Sequence, residues 1–256
     1  MSPTKYDLTV YFAPHFDDYL APLQTEDFLT NFKRCNLFIL ELAEPWIKDE
    51  PDKETLYNQL SEGKVNSVPS KRGPLSPFIK ELQMRLRGSG KRVALERSTA
   101  PQVQLSLPSD LVNSLEVRGL DGTLVLYKKE IQDLANSMVE RDRSIIRDVL
   151  QRELKDEIKG FMFRGSAHFR HLSALLQTQF PMSKLIAYPG PPSLTDRILG
   201  SLTVGEPVQD LDFLRSLDSE LSKQGADYES CIKAESEAEL LTVKVLRAKY
   251  STPICR

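Results

Sequence analysis

The chain holds three histidines, and two of them, His168 and His171, fall in GFMFRGSAHFRHLSALL (160–176). There an apolar, strand-like stretch passes through a glycine into a helix-like one. The third, His15, closes TVYFAPHF (9–16) near the N-terminus. Imidazole is the one side chain whose ordinary pKa lies near neutrality, so it can serve as general base, proton carrier or metal ligand. A histidine at a strand end also commonly caps or packs, so no single one of them makes a site. Their positions carry more weight. In an open parallel sheet the carboxyl ends of the strands form one rim, and ligands bind along it. His15, Glu41 in NLFILEL, Glu96 in KRVALER and His168 all fall at or just beyond the ends of strand-like runs. Gly165 lets the chain turn sharply from strand to helix. His168 would then stand in a first helical turn, where the macrodipole disfavours imidazolium and keeps the ring available as base or ligand. Cys35, Cys231 and Cys255 are an odd, scattered set without metal-ligand spacing, as expected of reduced thiols.

The elements that must position these groups alternate. YDLTVYFAPHF reads as a strand stopped by Pro14, residues 24–34 as a helix, and NLFILEL (36–42) as a strand covered on both faces. A polar stretch with several prolines and glycines, 44–77, reads as a lid or insertion. Phe78, Leu82 and Leu86 recur at helical spacing, with Gly88 and Gly90 closing that helix, and KRVALER (91–97) is a short strand. SLEVRGLDGTLVLYKK (114–129) looks like a hairpin turning at Asp121-Gly122. From about Lys129 to Ile158 the pattern is helical, with Ile131, Leu134, Ala135, Met138, Ile145, Val149 and Leu154 on one side. Such a helix would run about 45 Å, so a kink or break is expected in it. Strand GFMFRG, helix 167–179 and strand SKLIAYP follow, and 207–249 reads as two helices. The expectation is an α/β fold: a mostly parallel central sheet flanked by helices, with a helical C-terminal extension. Strand–His15–helix–strand and strand–His168–helix–strand echo each other as duplicated units. The expected domains are 1–205, and 206–256 packed on it.

The long helix supplies a further group. Arg141 lies on its apolar face, between Met138 and Ile145, with Asp142 close by. A guanidinium aimed at a core needs a carboxylate, a carbonyl or an anionic ligand. Either Arg141 and Asp142 form a buried tie, or Arg141 reaches the rim to orient Glu41, with Glu96 as the alternative, or to polarise a substrate carbonyl.

In order and spacing, ERDRSII (140–146) followed by FMFRGSAHFRHL resembles the TraB/GumN-like family, of one superfamily with Tiki proteases, erythromycin esterases and ChaN-like proteins. The family pattern is a GxxH, a glutamate after the next strand, an arginine on a long helix and a second GxxH. Gly165-Ser166-Ala167-His168 matches the second GxxH, Arg141 the arginine and Glu41 the glutamate. Phe12 stands where the first GxxH has glycine, before His15, and Arg164 stands where a small or apolar residue is usual. The resemblance covers roughly residues 5–190. It implies a catalytic set of His15, Glu41, Arg141 and His168, hydrolysing an amide or ester bond. Two routes stay open. His15, Glu41 and His168 could weakly hold a divalent metal, manganese or zinc, with a position left for water. Alternatively, one histidine acts as general base without metal, Glu41 orienting it and Arg141 facing the oxyanion.

A non-catalytic protein on the same scaffold is the competing reading, binding haem or another small molecule through His15 or His168, or binding a partner. With a formal net charge of -2 and acidic residues interleaved among the basic ones, no global field points to nucleic acid. No apolar run approaches membrane-spanning length, and MSPTKYDLTVYF lacks the form of a signal peptide. The expectation is a cytoplasmic protein with a small-molecule or peptide substrate, whose C-terminal helices can form a homodimer interface.

Overall fold

A computed structural model describes residues 7–13, 20–40, 81, 84–96, 103, 105–106, 108–154, 158–189 and 192–222. Five strands, β1 (Asp7–Ala13), β2 (Leu37–Leu40), β3 (Arg92–Leu95), β4 (Lys159–Gly165) and β5 (Lys184–Ala187), make one sheet in the order β3-β2-β4-β1-β5. Every pairing is parallel, so the α/β expectation holds. The strands are apolar on both faces because both faces are covered, as parallel sheets require. One face carries Tyr11, Phe38, Phe161 and Phe163, packed with Phe28 and Phe32. The other carries Leu8, Val10, Phe12, Leu37, Ile39 and Met162, packed with Ile145, Val149, Leu172 and Leu176.

The short helix α1 (Leu20–Gln24) and α2 (Glu26–Arg34) join β1 to β2 on the first face. Thr25 caps α2, its side chain accepting from the Phe28 amide at 3.2 Å, with Glu26 and Asp27 in the first turn where the helix dipole favours them. At the other end Lys91 donates to the carbonyls of Lys33 and Cys35, at 3.2 and 2.6 Å. Helix α4 (Phe169–Gln179) joins β4 to β5 and covers the second face with Leu172 and Leu176. The two strand–helix–strand units therefore leave the centre in opposite directions: β1 crosses over β4 to reach β2, and β4 crosses over β1 to reach β5. The reversal falls between β1 and β4, and such a switch point opens a crevice at the carboxyl ends.

Between β3 and β4 runs the long helix α3 (Pro108–Ser144), followed by a π-helical segment, Ile145–Leu150, and a last turn, Gln151–Glu153. The expected hairpin at 114–129 is corrected here: this stretch is helical. Gly119, with φ 70° and ψ -178°, breaks the helical conformation, and helix continues on both sides of it. The π segment answers the expected break farther on. In it Ile145, Ile146, Val149 and Leu150 are all buried.

The chain divides into two compact units, Met1–Pro101 with Ser137–Ser193, and Gln102–Asn136 with Leu194–Arg256. The second holds the first part of α3 with α5 (Leu194–Thr203) and α6 (Asp210–Ser222). Within it, buried Tyr127 hydrogen-bonds Ser216 at 2.8 Å, and Thr195 meets the same hydroxyl at 2.9 Å. α6 is part of the tail read as helical, whereas α5 was not foreseen. The 44–77 segment and residues 223–256 lie outside the described residues. No helix among the described residues is long and apolar enough to cross a membrane.

Candidate functional site

Arg164 is the next-to-last residue of β4, in register with Phe12 of β1 and on the same face as Met162. That face is otherwise apolar, so a fully buried guanidinium there must be met by carboxylates. Two meet it. Its Nη1 donates to Glu96 Oε2 at 2.5 Å, and its Nη2 donates to Asp142 Oδ1 at 3.1 Å. Glu96 directly follows β3, and Asp142 lies in the last turns of α3, so one side chain ties three elements together.

Glu96 also receives Arg141 in a bidentate pair, Nε to Oε1 at 2.7 Å and Nη2 to Oε2 at 3.1 Å. Of the two carboxylates the sequence offered to Arg141, Glu96 is thus seen to hold it. Arg141 is the more open of the two arginines, its side chain 16% exposed against 0% for Arg164.

Asp142 is the hub of the other half. His168 Nδ1 lies 2.6 Å from Oδ1, and His171 Nδ1 lies 2.9 Å from Oδ2. The two rings stand three residues apart where β4 passes through a 3-10 turn, Ser166–His168, into α4. That spacing brings side chains to one helix face, so a single carboxylate spans both. Burial alone would raise the Asp142 pKa. The His168 charge, hydrogen bonds from His168 and His171, and the Arg164 charge outweigh it and hold the carboxyl well below the usual carboxylate range. On a neutral ring, a carboxylate at Nδ1 fixes the tautomer and ring orientation and leaves Nε2 to act as base or ligand.

Of the expected site residues, Arg141 and His168 come together in this network, linked through Glu96, Arg164 and Asp142. His15 and Glu41 lie outside the described residues. β1, two residues before His15, and β4 are adjacent strands, with Ala13 opposite Gly165. Leu40, one residue before Glu41, is opposite Phe163, one before Arg164. Three participants lie outside the site set drawn from the sequence: Asp142 enters there only as a buried tie to Arg141, Arg164 only as a departure from the family pattern, and His171 only as a histidine near His168 with no role assigned. A signal existed for Arg164: in FMFRG a charge occupies an alternate position shared with Met162, which a two-sided parallel strand would bury.

Among the described residues no group of three or more His, Cys, Asp or Glu side chains is placed to hold a metal ion. In this network the carboxylate oxygens face guanidinium and imidazole nitrogens, a donor set already satisfied, and two guanidiniums oppose a cation. Cys35 is buried, and desolvation pushes its thiol up to about 11, which makes it no nucleophile. Compared with known proteins, the chain matches no protein-family model, no curated protein and no solved structure.

Proposed function

We propose that the chain is a hydrolase of amide or ester bonds, related to the TraB/GumN-like proteins, working at the carboxyl edge of the sheet beside the switch point. The observation that supports it is the shared carboxylate: both imidazoles rest their Nδ1 atoms on Asp142, at 2.6 and 2.9 Å. In this reading Asp142 orients the rings, an imidazole Nε2 takes a proton from water, and Arg141, held by Glu96, supplies positive charge to the developing oxyanion. His15 and Glu41 belong to the same proposal through their places in the sequence after β1 and β2. A weakly held manganese or zinc ion on His15, Glu41 and His168 is part of the proposal as well, and no step above depends on it.

A second reading has an observation of its own. Glu96, Asp142 and Arg164 are wholly buried and His168 nearly so, as befits a tie that only joins β3, β4, α3 and α4. Chromogenic esters and peptide anilides, assayed with and without chelator, separate the two. Hydrolysis by wild type that falls in Arg141→Met, with folding intact, supports the hydrolase. Absence of turnover across both classes, or an Arg141→Met variant as active as wild type, supports the tie.

A further inference from the structure

We infer that His171, rather than His168, is the imidazole that meets the substrate, and that His168 is an internal brace sharing its carboxylate. This rests on the hydrolase reading for its chemistry but not for its geometry. The two rings are held alike, each by Nδ1 on one oxygen of Asp142. They differ in what surrounds the rest of the ring. The His168 side chain is 3% exposed and that of His171 is 13% exposed. His168 also sits 3.5 Å from Arg164 Nη2, inside the charge network, whereas His171 stands one helical turn farther along α4. A base must come within hydrogen-bond reach of the water it deprotonates. Of two equivalent rings, the one less enclosed by protein is the better placed to do so. His168 then holds Asp142 in place from the other side, and Asp142 orients His171 as the carboxylate of a nucleophile–base–carboxylate arrangement does.

In the step assigned to His171, a water proton passes to Nε2 as the water oxygen bonds to the acyl carbon. Collapse of the tetrahedral species breaks the C–N or C–O bond, and the departing nitrogen or oxygen takes that proton from Nε2. One water is consumed, and an acid with an amine or alcohol is released.

Diethyl pyrocarbonate acylates accessible neutral imidazoles, and Arg164 and Arg170 let trypsin place the two rings in separate peptides, GSAHFR and one beginning HLSALL. On the folded full-length chain at neutral pH, His171 is expected to be carbethoxylated first, with His168 unmodified until His171 is saturated. Equal modification, or His168 first, overturns the inference whether or not the protein is a hydrolase. On a hydrolysed ester, His171→Gln should lower kcat by roughly 10²–10⁴-fold with KM unchanged. His168→Asn should lose less and change mainly the pH profile of kcat. A larger kcat loss in His168→Asn, with both variants folded by circular dichroism, also overturns it. Failure of every substrate with the acylation order as stated would count against the hydrolase alone.

Discussion

Two residues decide whether the network stands. Arg164 is wholly buried and is shared by Glu96 and Asp142. Removing one partner of a buried pair leaves an uncompensated charge, which costs about 3–5 kcal/mol. Arg164→Met should therefore lower stability by that order in urea unfolding. Arg164→Lys should rescue little, because an ammonium is a compact point charge and cannot fork to two carboxylates as a guanidinium does. Equal stability of the lysine variant and wild type would show that the fork is dispensable. Asp142 carries a pH signature. Its folded-state pKa is depressed, since partners that favour the carboxylate outweigh burial. The unfolded chain then takes up protons on this group before the folded one does. Its contribution is present in full above the ordinary carboxylate value, near 4, and is lost as the pH falls below it. The stability difference between wild type and Asp142→Asn should be large from neutrality down to about pH 5 and shrink toward pH 2. A difference independent of pH would mean that the Asp142 charge does not stabilise the fold.

At the scale of the elements, the central helix tests how sequence signals compete. Asp121-Gly122, between runs rich in leucine and valine, is a strong hairpin signature, yet 108–144 is helical. The apolar positions explain it: Leu120, Leu124 and Tyr127 are buried at spacings of four and three, which suit a helix and break the alternation of a strand. The break falls at Gly119 instead, whose φ of 70° with ψ of -178° is a conformation essentially restricted to glycine. Gly119→Ala should cost about 1–3 kcal/mol in thermal or urea unfolding, although a Cβ there meets open space. No loss of stability would mean that the helix runs through this position unbroken. The inner strands β1, β2 and β4 were legible because each is a run of mostly buried apolar residues. Arg141 was legible because its place on an apolar helix face demanded an anion. Asp142 was harder to read, since one residue along a helix turns the side chain by about 100° and sequence alone does not say which neighbour lies deeper. Nothing in the sequence pairs His171 with a carboxylate, because its partner Asp142 comes from a segment 29 positions away.

For the whole molecule, topology gathers the chemistry. β1 and β4 pair in parallel with their carboxyl ends side by side, and the helices that follow them pack on opposite faces of the sheet. β3 ends in Glu96, and α3 delivers Arg141 and Asp142 to the same network. Under the proposed hydrolase function, Asp142 is the pivot of this assembly, the carboxylate on which both imidazoles rest. Asp142→Asn keeps the shape of the side chain but can present an amide where the ring nitrogens need an acceptor, disturbing the tautomer. The direct measurement is kcat/KM of wild type and Asp142→Asn on the best ester or anilide substrate, with circular dichroism confirming that both are folded. A fall of roughly 10²–10⁴-fold with the fold retained is expected if the proposed function holds. A folded Asp142→Asn variant with wild-type kcat/KM would contradict it.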